Sequence, residues 1–489
     1  MKKTICLILT FILVLLCVSC GEKNDASVAS GEISLFAFSP DTLNPLTTKY
    51  KTNASLLSSM LYKPLLTVNE DLSITPCLAT EWHFSKNGSI LKLTLRDDIV
   101  FSDGTPLTAI HAKGALDTLK EYSAGLYSPV NDYVESCSAS GNVLTLKLKQ
   151  KGLGVLSTLN FPIYKDKTSL LGCGSYILTD KTNDKLVLTA NTGENANKEF
   201  LPQIKTVHVV YYPNKEAAAN AFHALDIDMV SCDINALSTL SNMTNISTHD
   251  YVTDKFTYLG FNCTSTILPD AYARKAIAHL IDKQALVDSM LAGYATITNS
   301  PFRPKSAYDK AYKTDLQFNI EKAKAYLKKS HAEDVPSFSI LINEESDSKK
   351  KTAEFINTQL RENGIDSQIT ALPYKEYLEK IEKGEYTAYI GEVIIPADQN
   401  LSFLLHSSKN NLNYKVKKMD ALLTEFSGTG LQKKKTDSAK EIQALLLKHV
   451  PIISLYYEKE VFAVSDKVNG TFSPYANSLY EDISKWSVK

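Results

Sequence analysis

The stretch that decides the fold covers residues 89–112 and reads Ser-Ile-Leu-Lys-Leu-Thr-Leu-Arg-Asp-Asp-Ile-Val-Phe-Ser-Asp-Gly-Thr-Pro-Leu-Thr-Ala-Ile-His-Ala. Leucine alternates with polar residues over Ser89–Leu95, which predicts a strand with one buried face. Asp103-Gly104-Thr105-Pro106 predicts a tight turn, because Asp bonds nearby amides, Gly tolerates positive φ and Pro fixes the next φ. We expect Arg96 to brace this turn through charge-assisted hydrogen bonds. Thr108–Tyr122 follows as a predicted helix.

The first twenty residues predict a lipoprotein signal peptide. A positively charged start precedes the apolar run Ile5–Val18, whose length of about 14 residues suits a signal peptide and not a membrane span. The run ends at Cys17-Val18-Ser19-Cys20, which resembles the bacterial lipoprotein signal, where the Cys20 thiol receives a diacylglycerol. Residues 21–31 are polar and small, as suits a tether. An ordinary cleaved signal peptide is the alternative.

Composition limits the function classes. The chain has 53 basic and 54 acidic residues, so charge gives no indication of nucleic-acid binding. A chain of 489 residues predicts two or more domains. The five cysteines after Cys20 form no CxxC pair and fit no zinc-ligand spacing, which predicts mostly buried free thiols and leaves one disulfide as an alternative. They are Cys77, Cys137, Cys173, Cys232 and Cys263.

Strands and amphipathic helices alternate along the rest of the chain. Val207–Tyr212, Lys215–Leu225 and Ile227–Ser231 predict a strand, a helix and a strand, the pattern of α/β layers with parallel strands. Asp270–Leu291 predicts one long helix from its apolar period. Further predicted elements are strands at Ser34–Phe38, Phe256–Phe261, Ser337–Ile342, Ser367–Ala371, Tyr386–Val393 and Pro451–Val464, and helices at Ile320–Ser330, Lys350–Asn363, Tyr374–Lys383, Val416–Phe426 and Gln432–His449.

Residues 74–112 resemble the extracellular solute-binding proteins of the oligopeptide, dipeptide and nickel class (family 5, cluster C). Those proteins carry a similar ordered run, with Leu95-Arg96, Phe101, Asp103-Gly104-Thr105-Pro106 and Thr108-Ala109 as the matching positions here. Further family motifs follow in order across the mature chain. Among them are Asp41-Thr42-Leu43-Asn44-Pro45, Gly172-Cys173-Gly174-Ser175-Tyr176, Phe261-Asn262, Ala273-Arg274-Lys275-Ala276, Ile281-Asp282-Lys283 and Val468-Asn469-Gly470.

The resemblance implies an α/β, two-lobed fold of the periplasmic-binding-protein type II, with an extra subdomain in lobe I and a hinge between the lobes. It implies lobe I at residues 32–259, including an inserted subdomain at about 50–165. Lobe II follows at residues 260–455, and residues 456–489 return to lobe I. The two chain crossings are expected near Tyr258–Asn262 and Ile453–Tyr457.

The resemblance also implies function. We expect a lipid-anchored protein on the extracytoplasmic face of the cell membrane, acting as a monomer that captures a peptide by hinge closure and delivers it to an ABC permease. Asp398 matches the carboxylate that anchors a peptide ammonium in relatives, although the Trp and Asp-Pro that often flank it are missing. The other expected ligand-binding residues are Asn44, Thr47, Thr48, Tyr258, Asn262, Asn413 and Tyr414.

Other ligands and other classes remain open. Nickel or a metal chelate is the main alternative to a peptide, and heme or an oligosaccharide is also possible for this fold. A secreted hydrolase is the remote alternative, because the chain has no His-Glu-x-x-His, Gly-x-Ser-x-Gly or P-loop motif. We therefore expect a binding protein without catalytic residues, cofactor or direct metal site.

Overall fold

A computed structural model of the chain describes residues 30–39, 42–48, 51–122, 125–268, 270–309, 316–330, 337–476 and 478–489. The predicted signal peptide, the lipidation site Cys20 and nearly all of the predicted tether lie outside the described residues. The described strands, β1 to β21 in chain order, are Ser30–Phe38, Lys63–Pro64, Leu66–Val68, Ile74–Pro76, Ala79–Phe84, Ile90–Leu95, Val134–Ser140, Val143–Leu148, Pro162–Ile163, Tyr176–Lys181, Lys185–Ala190, Ile204–Tyr212, Met229–Cys232, Ile246–Phe261, Ala295–Ile297, Phe338–Asn343, Ser367–Leu372, Ala388–Ile394, Ile452–Ser465, Val468–Asn469 and Ser487–Val488.

The described helices alternate with these strands and cover both faces of the main sheet. The helices, α1 to α12 in chain order, are Lys51–Leu61, Ala109–Glu121, Val130–Tyr133, Lys215–His223, Ala271–Leu280, Lys283–Met290, Ile320–Ser330, Asp347–Glu362, Tyr374–Lys383, Ser402–Leu405, Lys417–Gly428 and Gln432–His449. Short 3-10 helices lie at Leu153–Thr158, Lys198–Phe200, Leu237–Leu240 and Ile483–Lys485. The predicted α/β fold class is confirmed.

One long mixed sheet runs through the whole protein, in the order β10-β11-β12-β1-β13-β19-β14-β18-β16-β17. β12 and β13 lie parallel to β1 on either side of it, and α4 joins them, so the predicted strand–helix–strand unit is confirmed. β17 and β18 lie parallel to β16 in the same way. The antiparallel strands β14 and β19 lie between these two parallel groups.

Two separate sets of hydrophobic cores divide the protein. Residues 33–251 and 462–488 form the buried cores on one side, which we call lobe I. Residues 252–457 form the cores on the other side, which we call lobe II. Since side chains share a core only where they pack together, each lobe is a packing unit of its own.

The chain crosses between the lobes within β14 and within β19. In β14, Tyr251 packs in lobe I and Phe256 in lobe II. In β19, Tyr457 packs in lobe II and Phe462 in lobe I. The pairing of the two strands shifts register between Val252 and Phe256, at the first of these crossings. Each crossing is displaced from its expected position by about five residues, toward the part of the chain that forms lobe I. The domain boundaries themselves stay a prediction.

The opening stretch of sequence builds a second, smaller sheet in lobe I, and the predicted subdomain boundaries stay a prediction. The predicted strand Ser89–Leu95 is β6, which joins β5, β8 and β7 in a four-stranded antiparallel sheet, and the predicted helix Thr108–Tyr122 is α2. The expectation for Arg96 is wrong, because its ion pairs go to Asp98 at 2.7 Å and Glu199 at 2.5 Å. Lys165 braces the turn instead, through Asp103 at 2.5 Å.

The single helix predicted over Asp270–Leu291 is wrong, because the structure divides it into α5 and α6. Asp282 lies between them with extended backbone and accepts a hydrogen bond from the amide of Ala285 at 3.0 Å. A carboxylate in this position caps a new helix. The apolar period continues through the break, which is why periodicity alone did not reveal it.

Candidate functional site

Parallel strands of both lobes end at the boundary between the lobes. In lobe I, Cys232 at the carboxyl end of β13 lies opposite Val461 of β19, next to the second crossing. In lobe II, Ile394 at the carboxyl end of β18 lies opposite Lys255 of β14, next to the first crossing. Ligands of open α/β sheets bind outside the carboxyl ends of parallel strands. The space between these two edges, which we call the cleft, is therefore the candidate site.

A cluster of three charges lies at the lobe II edge of the cleft. The ammonium of Lys255 lies 3.0 Å from Oε2 of Glu392 and 3.2 Å from Oε1 of Glu458. The three residues come from the adjacent strands β14, β18 and β19. Burial raises the pKa of Glu458, and the attraction of Lys255 only partly offsets this. One cation thus serves two carboxylates, and we call these residues the Lys255 cluster.

Lys349 adds a buried cation beside this cluster, in the first turn of α8. Its ammonium donates a hydrogen bond to Oδ1 of Asn343 at 2.7 Å and lies 4.8 Å from the centre of the Tyr377 ring. Burial lowers the pKa of Lys349, against the opposing effect of Glu392. Asn343 is the last residue of β16, so Lys349 lies at the same carboxyl edge. The lobe II edge therefore offers groups of both charges.

A fully engaged carboxylate lies on the lobe I side of the second crossing. Glu460 pairs with Lys215 at 2.7 Å and accepts hydrogen bonds from the hydroxyls of Tyr251 at 2.5 Å and Ser231 at 2.9 Å. Burial pushes the pKa of Glu460 upward, but Lys215 and the two hydroxyls lower it below its usual value. Because it is already engaged on both oxygens, Glu460 stabilises the crossing rather than presenting an open acceptor.

Asp398 lies where the two lobes touch. Its Oδ2 accepts a hydrogen bond from the Tyr133 hydroxyl of lobe I, and its Oδ1 accepts one from the amide of Asn400 at 2.9 Å. The buried Lys435 donates to the main-chain carbonyl of Asp398 at 3.0 Å, and burial lowers the pKa of Lys435 to about 8. Asp398 is thus at the cleft, with both carboxylate oxygens engaged.

Two further contacts join the lobes near Asp398. The amide of Leu153 in lobe I donates to the carbonyl of Thr429 in lobe II at 3.0 Å. Gly152 has a φ of +114°, and a Cβ atom there would lie 2.2 Å from the carbonyl oxygen of Ser427, so only glycine permits this approach. The exposed pair Glu70 and Lys305 adds an ion pair of 2.8 Å.

The predicted residues Asn44, Thr47 and Thr48 lie in the turn that follows β1, at the lobe I edge. Asn44 serves that turn, since its Oδ1 accepts from the amide of Leu46 at 3.0 Å, and its Nδ2 lies 3.4 Å from the hydroxyl of Tyr164. Thr48 is buried. The location suits a ligand site, and a role for these side chains stays a prediction.

Three other predicted residues, Asn262, Asn413 and Tyr414, lie at the opposite edge of lobe II. Asn262 follows the far end of β14, where Phe261 pairs with the first residue of β18. Its Oδ1 accepts a hydrogen bond from Asn413 at 3.0 Å, and the hydroxyl of Tyr414 lies 2.8 Å from Nδ1 of His449. The structure brings the two asparagines together, but none of the three contributes an atom to the cleft edge.

Tyr258 lies between these edges, inside the core of lobe II. Its hydroxyl lies 3.0 Å from that of Tyr389, and burial raises the pKa of Tyr258 to about 12. Gly391 allows this packing, because a Cβ atom there would lie 2.2 Å from the Tyr258 ring. Its ring supports the sheet from within, and its role in ligand binding stays a prediction.

The described residues hold no group of three or more His, Cys, Asp or Glu side chains that could bind a metal ion. The five described cysteines are free thiols. Among the same residues, no helix has the length and apolar character to cross a membrane.

The two-lobed α/β fold with a cleft between parallel-strand edges defines a class of proteins that bind solutes between two lobes. A sequence model of the bacterial extracellular solute-binding proteins, family 5 Middle, matches residues 73–414, well over half of the chain. The protein therefore belongs to the family 5 extracellular solute-binding proteins. Members of this family are extracytoplasmic solute-binding proteins of ABC importers and are not enzymes.

Characterised relatives cover most or part of the chain. The nickel-binding periplasmic protein of Escherichia coli K12 is 26% identical over 58% of this chain and 57% of its own length. The glutathione-binding protein GsiB of Shigella flexneri is 24% identical over 90% of this chain and 92% of its own.

Solved structures confirm the two-lobed type II fold. The nickel ABC transporter protein of Bacillus halodurans superposes with a TM-score of 0.80 at 19% identity, over 92% of this chain and 98% of its own. The murein tripeptide binding protein MppA, in its unliganded open form, superposes with a TM-score of 0.79 at 19% identity, over 94% of this chain and 98% of its own.

Proposed function

We propose that this protein captures a peptide in the cleft and delivers it to an ABC permease. The proposal is carried by the cleft: the carboxyl ends of the parallel strands in the two lobes lie next to the crossings in β14 and β19. Charged groups of both signs lie along the lobe II edge. A short peptide has an ammonium and a carboxylate to match such an edge. The glutathione-binding and murein tripeptide-binding relatives support a ligand of this kind.

Capture proceeds by closure of the lobes about β14 and β19. A ligand favours the closed form only through contacts that differ between the open and closed states. The contacts of Tyr133 with Asp398 and of Leu153 with Thr429 are available only when the lobes are together. A peptide that lies between the edges adds its own contacts to both lobes, and the closed form is the one that docks on the permease.

A nickel complex is the second candidate, because two relatives are named for nickel. The described residues offer no metal-binding cluster of their own. A metal would therefore enter with an organic chelator, whose carboxylates and cationic groups the cleft would contact. The two candidates differ in whether the bound species contains a metal, which makes them separable by mass.

Native mass spectrometry of the protein from Gly21 onward, as purified from cells, tests the proposal. A ladder of peptide masses released on denaturation is the expected result. A single nickel-containing adduct would replace the peptide proposal with the second candidate. A bare mass leads to calorimetric titration with tripeptides and with nickel–histidine, and binding of nickel–histidine without any tripeptide would contradict peptide capture.

The proposal also places the protein at the membrane. Acting as a monomer, it would be held at the extracytoplasmic face by a diacylglycerol on Cys20, with the polar residues 21–31 as the tether. Such a tether lets the lobes reach the permease without fixing their orientation. The anchor itself is supported by the sequence alone.

A further inference from the structure

Two carboxylates along the cleft share one cation. The carboxylates at the two edges and the crossings between them include Asp254, Glu345, Glu392, Asp398, Glu458 and Glu460, and the cations include Lys215, Lys255, Arg303, Lys349, Lys435 and Lys459. The partners of these six carboxylates decide which of them can still bind a ligand.

Four of the six carboxylates are already engaged. Glu460 has Lys215 and two hydroxyl donors, as described above, and Asp398 has Tyr133 and Asn400. Asp254 pairs with the buried Arg303 at 2.9 Å. Glu345 accepts from the amide of Tyr374 at 2.8 Å and from Nδ2 of Asn343 at 3.0 Å. The remaining two, Glu392 and Glu458, share Lys255.

Each glutamate of the Lys255 cluster keeps one oxygen open. Oε2 of Glu392 and Oε1 of Glu458 are buried against Lys255. In the part of the chain that the structure describes, no group donates to the second oxygen of either residue. Those second oxygens reach solvent, and the side chains are 20% and 24% exposed. Two acceptors, on the strands that flank β14, therefore remain accessible to a ligand.

We propose that Glu392 and Glu458 bind an ammonium group of the ligand between their open oxygens. This inference rests on the proposed function and moves the cationic subsite from Asp398 to the Lys255 cluster. An ammonium supplies three donors in a compact group, and charge-assisted bonds to two carboxylates are the strong kind. Lys255 is a positioning residue, because it holds the two glutamates side by side without filling their outer oxygens.

The chemistry of the cluster selects this kind of ligand group. An anion would meet two carboxylates and be repelled. A bare divalent metal would find only this pair, since the described residues hold no larger group of metal ligands here. An ammonium can come from the peptide amino terminus or from a lysine side chain, and the test separates these sources.

Isothermal titration with three probes tests the proposal: trialanine, N-acetyl-trialanine and N-acetyl-Ala-Lys-Ala. The variants are Glu392→Gln and Glu458→Gln, which keep side-chain volume and remove one charge each. Glu441→Gln is the matched control, because it removes the same charge from an exposed ion pair with Lys418. Circular dichroism confirms folding, and two target variants guard against the failure of one.

If the amino terminus is the source, we expect the wild-type protein to prefer trialanine over its acetylated form. Each target variant should then lose about tenfold or more in affinity for trialanine and about none for the acetylated peptide. If a lysine side chain is the source, the same loss falls on N-acetyl-Ala-Lys-Ala. The control variant should bind like the wild-type protein in both cases.

Peptides that bind both target variants as well as the wild-type protein would overturn the inference and leave the proposed function intact. If none of the three peptides binds, 1,5-diaminopentane decides the subsite in a thermal-shift experiment, independently of the peptide function. Stabilisation of the wild-type protein but not of Glu392→Gln would support the subsite without the peptide. Absence of any stabilisation would contradict it.

Discussion

The substitution Tyr133→Phe tests whether contacts across the cleft hold the lobes together without ligand. It removes only the hydroxyl that donates to Asp398, and it leaves the buried ring in the core of lobe I. Its two residues belong to different lobes, so we expect the contact to be lost when the lobes separate. The substitution should therefore change the equilibrium between open and closed forms and leave each lobe folded.

The expected size of the effect follows from the partners. A hydrogen bond to a charged group contributes about 1.5–3 kcal/mol, and here both groups regain water on opening, so we take about 1.5 kcal/mol. That value corresponds to about a tenfold rise in the open fraction relative to the closed one. The ion pair of Glu70 and Lys305 is 48% and 64% exposed. Exposed pairs contribute less than about 1 kcal/mol, so Lys305→Met should have the smaller effect.

Hydrogen exchange at the amide of Leu153 measures this equilibrium directly. That amide bonds to Thr429 across the cleft at 3.0 Å, so it exchanges when the lobes open. We expect about a tenfold faster exchange in ligand-free Tyr133→Phe. The amide of Cys263, bonded to Leu412 within lobe II at 2.8 Å, should be unaffected.

The control for the opening experiment is Tyr127→Phe. The hydroxyl of Tyr127 lies 2.9 Å from that of Ser58 inside lobe I, so its loss weakens one lobe without touching the cleft. Equal exchange of the Leu153 amide in wild-type protein and Tyr133→Phe would refute the reasoning. Equal acceleration in both tyrosine variants would assign the effect to lobe I stability instead of closure.

Three further predictions concern stability and anchoring. Burial lowers the pKa of Lys283 from 10.5 to about 7, so between these pH values the unfolded protein binds more protons than the folded protein. The free energy of unfolding of the wild-type protein, measured with urea, should therefore rise with pH by up to about 4 kcal/mol more than that of Lys283→Met. An equal pH dependence of the two proteins would contradict this. The pKa of Glu460 is lowered from 4.5 in the folded protein, so Glu460→Gln should reduce the free energy of unfolding by about 2 kcal/mol at pH 7. This loss should become smaller as the pH falls below 4.5 through the folded-state pKa. A difference between wild-type and variant stability that does not change with pH would argue against the ion pair. Cys20→Ala should move the protein from the detergent-rich to the aqueous phase of Triton X-114, and unchanged partition would exclude lipidation at Cys20.

Local sequence patterns predicted many elements because their causes are local. The helix predicted over Gln432–His449 has those bounds in the structure, and the strand predicted over Pro451–Val464 is found at Ile452–Ser465. The strand predicted at Phe256–Phe261 is only the last part of Ile246–Phe261. The first part of that strand is polar on both faces, because it leaves one core and enters the other. Only tertiary pairing makes it a strand.

The candidate site was less predictable, for a related reason. Asp398 was found because it lies in a recognisable family motif, and the structure places it at the cleft. Lys255, Glu392 and Glu458 lie far apart in sequence and meet only because β18, β14 and β19 are neighbours. No spacing rule covers such a meeting. The sequence signal for this cluster was a Lys or Glu near the end of an otherwise apolar strand. That signal indicates a shared site only when the order of the strands in the sheet is known.

The location of the ammonium subsite separates ligand retention from closure. Glu392 lies in lobe II, and Glu458, at the start of the second crossing, pairs with Ala295 of lobe II, so we expect an ammonium bound there to make the same contacts whether the lobes are open or closed. A ligand with equal affinity for two states shifts nothing between them. Closure must then come from the part of the ligand that reaches lobe I. A peptide long enough to add contacts there, while the bond between Tyr133 and Asp398 stays in place, would close the protein, whereas a simple amine would bind and leave the lobes as they were.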